Sequence, residues 1–490
     1  MREVRKDDTV LMKWSEEYGS TFGARVVLGN YKVYTVDPRA LSHILNHTDI
    51  YPKPEYLQNI LASMVGGRGL LLAEGEEHKR QRRIMNPSFS LGHIKEIMPI
   101  FFDTAHQLRD SLNSILAKVS ESEGTEIDMF SWVTRAALDV IGQAGFGYRF
   151  NALHDESNEL FCAVHDMIEA AGKSPLLGIL MGRFQLLRHL PLEYNRKMTE
   201  ARATTRRIGM ALIRKEKAAV QQEMQGKLEK SNVGRRDLLS ALIRANMSPE
   251  LALHQRMSDD EVLAQISTFI VAGHETTASG LAWTLYSLSL SPRVQDKLRL
   301  ELQQASEEAP CMEELSALPY LDAVLKESLR LWCPVRSTVR VATRADQIPL
   351  STPLVDRQGR RHDYVQVQAG DVVGVESVVV NHAKEFWGED AHEFRPERWE
   401  EGLEKVKEIP GVWAHTMAFL GGARACIGYR FSVMEMKAIL FTLIRAFEFA
   451  PIEGQEIGMK DVIVIRPFVK EQKEKGIQLP LRVCKVHRAA

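Results

Sequence analysis

The sequence predicts a mainly α-helical protein with a minor β region, and three observations carry that expectation. A long apolar run, Val262–Leu290, opens on Ser258 and Glu261, a pair that can cap a helix start reciprocally, and stops at Pro292. That spacing gives roughly 32 residues of helix, about 48 Å, long enough to cross a whole domain. Helical apolar periodicity dominates from about Ile94 to Leu331. Short β-type runs gather instead toward the two ends of the chain.

Taken in order, the charged stretch Met1–Lys6 leads into a helical pattern around Val10–Tyr18, with no signal peptide or membrane-spanning segment visible. Arg25–Leu28 and Tyr31–Val36 flank Gly29-Asn30 and read as a hairpin. Asp37-Pro38 supplies a cap and a first-turn proline for a helix over Arg39–Leu45. Lys173–Leu190 is apolar and suits peripheral membrane contact or ordinary core equally. The polar stretch Gln221–Asp237 reads as a surface loop, because helical patterns resume on both sides. Within Val262–Leu290, Gln265, His274 and Glu275 argue for a core helix, since a central Glu is costly in lipid. Extended segments follow at Thr338–Ala342, Val365–Val367, Val462–Ile465 and Ile477–Val483. No linker or repeat divides the chain, so residues 1–490 read as one domain.

Composition narrows the class without naming it. The 490 residues are 44% hydrophobic and 26% charged, as in an ordinary globular protein, and a formal charge of -1 gives no reason to expect a nucleic-acid partner. Cys162, Cys311, Cys333, Cys426 and Cys484 form no paired motif and fit a reducing compartment better than a disulfide framework.

Chemistry concentrates at Phe419-Leu-Gly-Gly-Ala-Arg-Ala-Cys-Ile-Gly428. A turn-rich loop precedes a helix starting near Tyr429, which puts Cys426 at a helix N-terminus, where the dipole favours thiolate. Gly422 and Gly428 would let the backbone approach a flat ligand, with amides aimed at sulfur. Arg424 is placed to pair with an anionic group. A lone cysteine beside a glycine turn is usually structural. Five fixed positions together match by chance only about once in ten thousand chains of this length.

These positions match the haem-binding signature of the cytochrome P450 family, F-x-x-G-x-R-x-C-x-G, and the chain resembles its fungal, microsomal-type members. The resemblance implies a cytochrome P450 fold with a long central helix over haem b. It implies Cys426 as the axial iron ligand, with Phe419, Arg424 and Gly428 as further cofactor contacts. Other motifs follow in the family's order. Lys326-Glu327-Ser-Leu-Arg330 and Phe394-Arg-Pro-Glu-Arg398-Trp carry over Glu327, Arg330 and Arg398 as a structural charge cluster. Ala272-Gly273-His274-Glu275-Thr276 is similar to the family's A-G-x-E/D-T motif. There the helix is expected to open at Gly273, Thr276 to hydrogen-bond the activated oxygen, and Glu275 to relay protons. His274 fills the variable position and receives no role. Glu77-His78-Lys-Arg-Gln-Arg82-Arg83 resembles W-x-x-x-R, with His78 in place of Trp. His78, Arg82 and Arg340 would then contact the haem propionates, and the charge of His78 would vary with pH.

The implied activity is that of a haem-thiolate monooxygenase, which oxidises a small lipophilic substrate with dioxygen and electrons from NADPH-cytochrome P450 reductase, in fungal secondary metabolism. Thr268, Phe269, Ala272, Val335–Val339 and Pro467–Val469 would line the substrate pocket. Lys79, Arg80, Arg83, Arg430 and Lys437 would form a basic docking patch for the reductase. The family's location is the cytoplasmic face of the endoplasmic reticulum membrane, while the lack of an anchor in this sequence also suits the cytoplasm. A haem-thiolate isomerase or peroxygenase and a non-catalytic haem carrier are the competing readings. The intact Glu275-Thr276 pair favours the monooxygenase.

Overall fold

The computed structural model describes residues 10–25, 31–118, 124–155, 157–163, 166, 180–181, 184, 187, 190, 192–225, 237–356, 358–461 and 463–486. Helix α1 (Val10–Tyr18) leads into the antiparallel strands β1 (Thr21–Arg25) and β2 (Tyr31–Thr35). The turn expected at Gly29-Asn30 lies outside the described residues, as does most of the apolar segment 173–190. Asp37 caps α2 (Pro38–Asn46) through bonds from the Arg39 and Ala40 amides, as Asp-Pro chemistry predicts. Helices α3 (Glu55–Val65), α4 (Gly75–Met85), α5 (Leu91–Leu116) and α6 (Met129–Phe146) follow, with β3 (Thr125–Asp128) before the last.

Beyond them come α7 (Glu193–Met224), α8 (Leu238–Met247), the central helix α9 (Asp259–Ser289), α10 (Pro292–Gln303) and α11 (Pro319–Leu331). Ser258 and Glu261 form the expected capping box on α9, and Pro292 starts the next helix. Strands β4 (Thr338–Val341), β5 (Asp346–Val355), β6 (Arg361–Val367) and β7 (Val372–Val375) precede α12 (Ser377–His382). The chain closes with α13 (Tyr429–Ala446), β8 (Phe447–Pro451), β9 (Ile457–Asp461), β10 (Ile465–Val469) and β11 (Pro480–Lys485).

The largest sheet, ordered β1-β2-β7-β4, joins the two ends of the chain through the parallel pair β2–β7. A second sheet, β3-β11-β8, does the same, and β5–β6 and β9–β10 are hairpins. Strand β5 was not expected, because Pro349 and Pro353 interrupt its pattern; a two-stranded hairpin tolerates proline at its edges. The main core packs α5, α6, α9 and α13 together, with Phe101, Val140, Leu281 and Phe441 buried among them. Trp283 of α9 stacks on Trp332 at 4.4 Å. A second core under the first sheet joins Leu41, Val375 and Trp387. Among the described residues no helix is long and apolar enough to cross a membrane.

A charge cluster ties these elements together. Glu327, Arg330 and Arg398 are each 0% exposed. Glu327 accepts five hydrogen bonds: two from Arg330 at 2.9 and 2.8 Å, and one each from Arg398 Nε at 2.8 Å, Trp399 Nε1 at 3.1 Å and the Arg395 amide at 3.0 Å. Burial pushes the Glu327 carboxyl pKa up, but the two guanidinium groups outweigh it and hold it below the ordinary value. Arg330 spends its remaining donors on the carbonyls of Asn381, Ala391 and Glu393. Removing one partner from such a cluster strands a buried charge, at about 3–5 kcal/mol. Arg330→Ala is therefore expected to lower the denaturant midpoint and melting temperature sharply. Arg330→Lys, which keeps the charge without the fork, should recover only part of the loss. Wild-type melting in Arg330→Ala would show that the cluster supports nothing.

Candidate functional site

Cys426 sits where the loop after α12 enters α13. Its amide donates to the Phe419 carbonyl at 2.9 Å, which closes the loop, and Phe419 packs edge-on against Trp413 at 5.5 Å. Leu420 and Gly422 take left-handed conformations, with φ of 57° and 64°. A Cβ on Gly422 would meet the Leu45 carbonyl oxygen at 2.6 Å, so this glycine serves close packing on α2. For Gly422 that replaces the flat-ligand explanation; Gly428 has only an ordinary contact, with Phe89 at 3.6 Å.

The thiol is accessible, yet it sits in a recess rather than on an open face. Burial raises its pKa above the ordinary thiol value, while the Gly428 amide and the Arg82 guanidinium pull the other way without winning. Burial thus favours the thiol, and a further positive charge has to make the thiolate. The charge that would do so is that of a metal ion at sulfur. The neighbouring Cys333 is buried and its thiol pushed up to about 12, as befits a structural cysteine.

Beside this loop lies a surplus of positive charge. Arg82 donates to the Ala425 carbonyl at 2.7 Å. Arg424 donates to the Ala73 carbonyl at 2.6 Å and pairs with Glu74. Lys53 pairs with Glu74 at 2.9 Å, and the field of Arg424 and Arg340 reaches it. Arg340 is buried and bonds only to Thr338 and the Val339 carbonyl among described residues. Glu74 is thus the single carboxylate, among described residues, paired with any of these four bases. Burial, then Arg424 and Arg340, push the Lys53 pKa down to about 6, so at physiological pH it is largely neutral and the three arginines carry the charge. Burial, then Arg82 and Lys53, push His78 down to about 4, so it is neutral at physiological pH and its charge varies only in acid. Lys53 and Glu74 were not foreseen. The one hint was a lysine fixed between Pro52 and Pro54.

The central helix packs on α13, the helix that Cys426 precedes. From Val262 to Ser289 every residue is buried except Val271, Ala272, Gly273 and Thr276. The helix runs unbroken through them, so the expected opening at Gly273 is not present. A Cβ on Gly273 would lie 3.1 Å from Ile141, and the glycine lets α6 approach. Thr276 Oγ1 donates to the Ala272 carbonyl at 2.6 Å, which leaves its lone pairs to accept a hydrogen bond from the recess. Glu275 is buried and pairs with Arg466 of β10 at 2.7 Å. Thr277 shares a 3.0 Å hydrogen bond with Ser432, which sets this part of α9 against α13 close to the cysteine.

Several expected pocket residues belong elsewhere. Phe269 is packed against Phe89 and Phe146, at 5.4 and 6.4 Å, and Val469 is fully buried in the main core. Val271 instead joins Met64, Val65, Leu72 and Ile463 in a small apolar cluster. A cavity of about 370 Å³ between α3, α7 and α9 touches Val271, but none of Ala272, Thr276 or Cys426 lines it. Of the expected docking cations, Arg80 is committed to Glu261 and the Arg256 carbonyl, and Lys437 is buried against Asp322 at 2.8 Å. Lys79, Arg83 and Arg430 are exposed.

The donor set fits haem b: a soft sulfur ligand, a cation surplus for two carboxylates, and a facing helix that is accessible at one step only. The sequence profile of the family described as Cytochrome P450 matches residues 4–475. Cytochrome P450 monooxygenases 128 and 205 of Postia placenta are 46% and 44% identical, over 98% and 97% of this chain and 88% of each relative. Cytochrome P450 monooxygenase claP of Ampulloclitocybe clavipes is 35% identical over 99% of this chain and 90% of its own length. The chain belongs to the cytochrome P450 family, whose members are oxidoreductases that bind haem b through a cysteine thiolate.

Proposed function

We propose that residues 1–490 act as one haem domain that inserts an oxygen atom into a small lipophilic substrate, with dioxygen as oxidant and NADPH-cytochrome P450 reductase as electron source. A role in fungal secondary metabolism, and a place at the cytoplasmic face of the endoplasmic reticulum, belong to this reading by family likeness alone. One observation supports the oxidative reading: from Val262 to Ser289 the central helix is accessible only at Val271–Gly273 and Thr276, so an alcohol is reachable within an otherwise buried helix, with the acid Glu275 next to it in sequence.

Bound there, haem would supply an iron centre that activates dioxygen, and a thiolate ligand favours O–O cleavage. Cys426 would provide that sulfur. Arg82, Arg340, Arg424 and Lys53 would hold the two carboxylates of the cofactor, and neutral His78 would add a ring N–H. Phe419 and Gly428 would keep the sulfur loop closed. Thr276 would accept a hydrogen bond at Oγ1, and Glu275 would return protons drawn from solvent. Ala272, Val271 and Ile463 would present apolar surface to the guest.

Three experiments bear on this reading. In the reduced carbon monoxide complex, wild type should show the strongly red-shifted Soret band of thiolate ligation. Cys426→Ala should abolish it and Cys311→Ala should leave it intact; a normal band in Cys426→Ala would sink the assignment. Thr276→Ala should keep haem content and substrate affinity but lower product per NADPH by about ten-fold, with the balance appearing as peroxide. This is less than the 10²–10⁴ of a fully lost proton transfer, because water substitutes in part. Unchanged coupling would remove Thr276 from the relay. Finally, Lys79→Glu with Arg83→Glu should slow first-electron transfer at low salt and flatten its salt dependence. Peroxide-driven turnover should be spared; unchanged reductase kinetics would place docking elsewhere.

A further inference from the structure

Glu275 is a buried acid in the interior of the longest apolar helix, and its partner arrives from far along the chain. Arg466 Nε donates to Glu275 Oε2 at 2.9 Å and Nη2 pairs with the same oxygen at 2.7 Å, with the side chains 12% and 8% exposed. Arg466 lies in β10, opposite Lys460 of β9. One helical turn beyond Glu275, the Ser279 hydroxyl donates to the Ile465 carbonyl at 2.6 Å. Positions 275 and 279 share a helix face, so α9 grips two consecutive residues of one strand. The facing strand is held at the same turn: Asp461, paired with Ile465, lies 3.7 Å from Arg336 in the loop after α11. Between the two anchors, Ile463 packs on the apolar cluster of Met64, Val65, Leu72 and Val271.

The two contacts use only one carboxylate oxygen. Oε1 is left toward His274, whose Nε2 stands 3.6 Å away, beyond hydrogen-bond range. His274 Nδ1 lies 2.5 Å from the Ile270 carbonyl and so carries its proton there. Oε1 is therefore the oxygen at which Glu275 can exchange a proton.

We propose that Arg466 is a positioning residue for proton delivery: its grip on Oε2 fixes the turn of the Glu275 carboxylate and reserves Oε1 for the proton. Glu275 gives up one proton and regains one from solvent, so its own charge is restored in each cycle. The reductase supplies the electrons, and dioxygen is the acceptor. Because the grip comes from the hairpin that carries Ile463, a guest seated on the apolar cluster and the proton supply share one anchor. The inference rests on the monooxygenase reading above.

The test compares Arg466→Gln, Arg466→Lys and Ser279→Ala with wild type. Ser279→Ala loosens the same strand without touching Glu275. In Arg466→Gln, product per NADPH should fall roughly ten-fold, the scale of an impaired proton transfer, with a larger solvent isotope effect on product formation. Peroxide-driven turnover should hold, and Arg466→Lys should regain part of the coupling. Ser279→Ala should keep wild-type coupling, although hydrogen exchange of the haem-free protein should rise over residues 465–469 in both variants. Wild-type coupling in Arg466→Gln overturns the proposal. So does an equal loss in Ser279→Ala, or a parallel loss of peroxide-driven turnover, since each means the residue only holds the hairpin. Should Arg466→Gln fail to load haem, Arg466→Lys carries the same comparison: a single ammonium cannot make both contacts, and full coupling there overturns the proposal. If wild type itself gives product from peroxide but none from NADPH and reductase, it is the monooxygenase reading that falls.

Discussion

A carboxylate with no water around it, Glu327, sets the terms for the rest of the molecule. It is tolerable only with its hydrogen-bonding capacity filled, and the five donors that fill it come from α11 itself and from the Arg395–Trp399 stretch. The constraint then propagates. Arg330 donates to the Asn381 carbonyl at 2.8 Å, and the side-chain oxygen of Asn381 accepts the Met417 amide at 2.8 Å. Met417 begins the turn in which Phe419 receives the Cys426 amide. On its other side α11 meets the central helix, where Ser328 and Thr284 share a 2.7 Å hydrogen bond. One buried charge thus fixes both the sulfur loop and the helix that faces it. A shift in any of these donors would reach the cysteine through fixed hydrogen bonds rather than through soft packing.

The cations around Glu74 follow the opposite rule. The cluster at Glu327 is answered in full, whereas Arg82, Arg340, Arg424 and Lys53 share one carboxylate among the described residues. Burial lowers the pKa of Arg340 and Arg424 to about 10 and of Lys53 to about 6, so the protein bears an electrostatic cost there. A cofactor with two carboxylates relieves that cost, and the contrast separates the two clusters by role. On the proposed reading the satisfied cluster holds the fold and the under-satisfied one holds the cofactor.

Legibility in the sequence tracks distance along the chain. The capping box of the central helix, the Asp37-Pro38 start, the spacing of Glu327 and Arg330 and the Cys426 loop are written within a few residues, and the structure reproduces their geometry. What escaped was contributed by distant partners. Gly273 looked like a weak point in a helix, but α6 needs it to approach through Ile141. Phe269 looked like a pocket residue, although Phe89 and Phe146 claim it. Arg80 and Lys437 looked like surface charges, yet Glu261 and Asp322 take them. Arg466 was the most readable omission, because a lone arginine within the run Ile463–Val469 calls for a buried counter-charge.

The unbroken central helix has a consequence for how an acid and an alcohol at adjacent positions can cooperate. Consecutive residues on an α-helix diverge by about 100° around its axis, so Glu275 and Thr276 cannot face the same space. The burial pattern agrees: Thr276 is partly accessible, while Glu275 is buried against the hairpin. Thr276 also turns its hydrogen back to the Ala272 carbonyl, so it meets the recess as an acceptor. On the proposed reading, a proton held at Glu275 starts on the hairpin side of the helix and must finish on the recess side. A water molecule or a turn of the Glu275 side chain has to bridge that angle. The contact with Arg466 at Oε2 restricts that turn, which on the proposed reading favours the water. The acid of this motif is therefore governed from the C-terminal hairpin as much as from the helix that carries it.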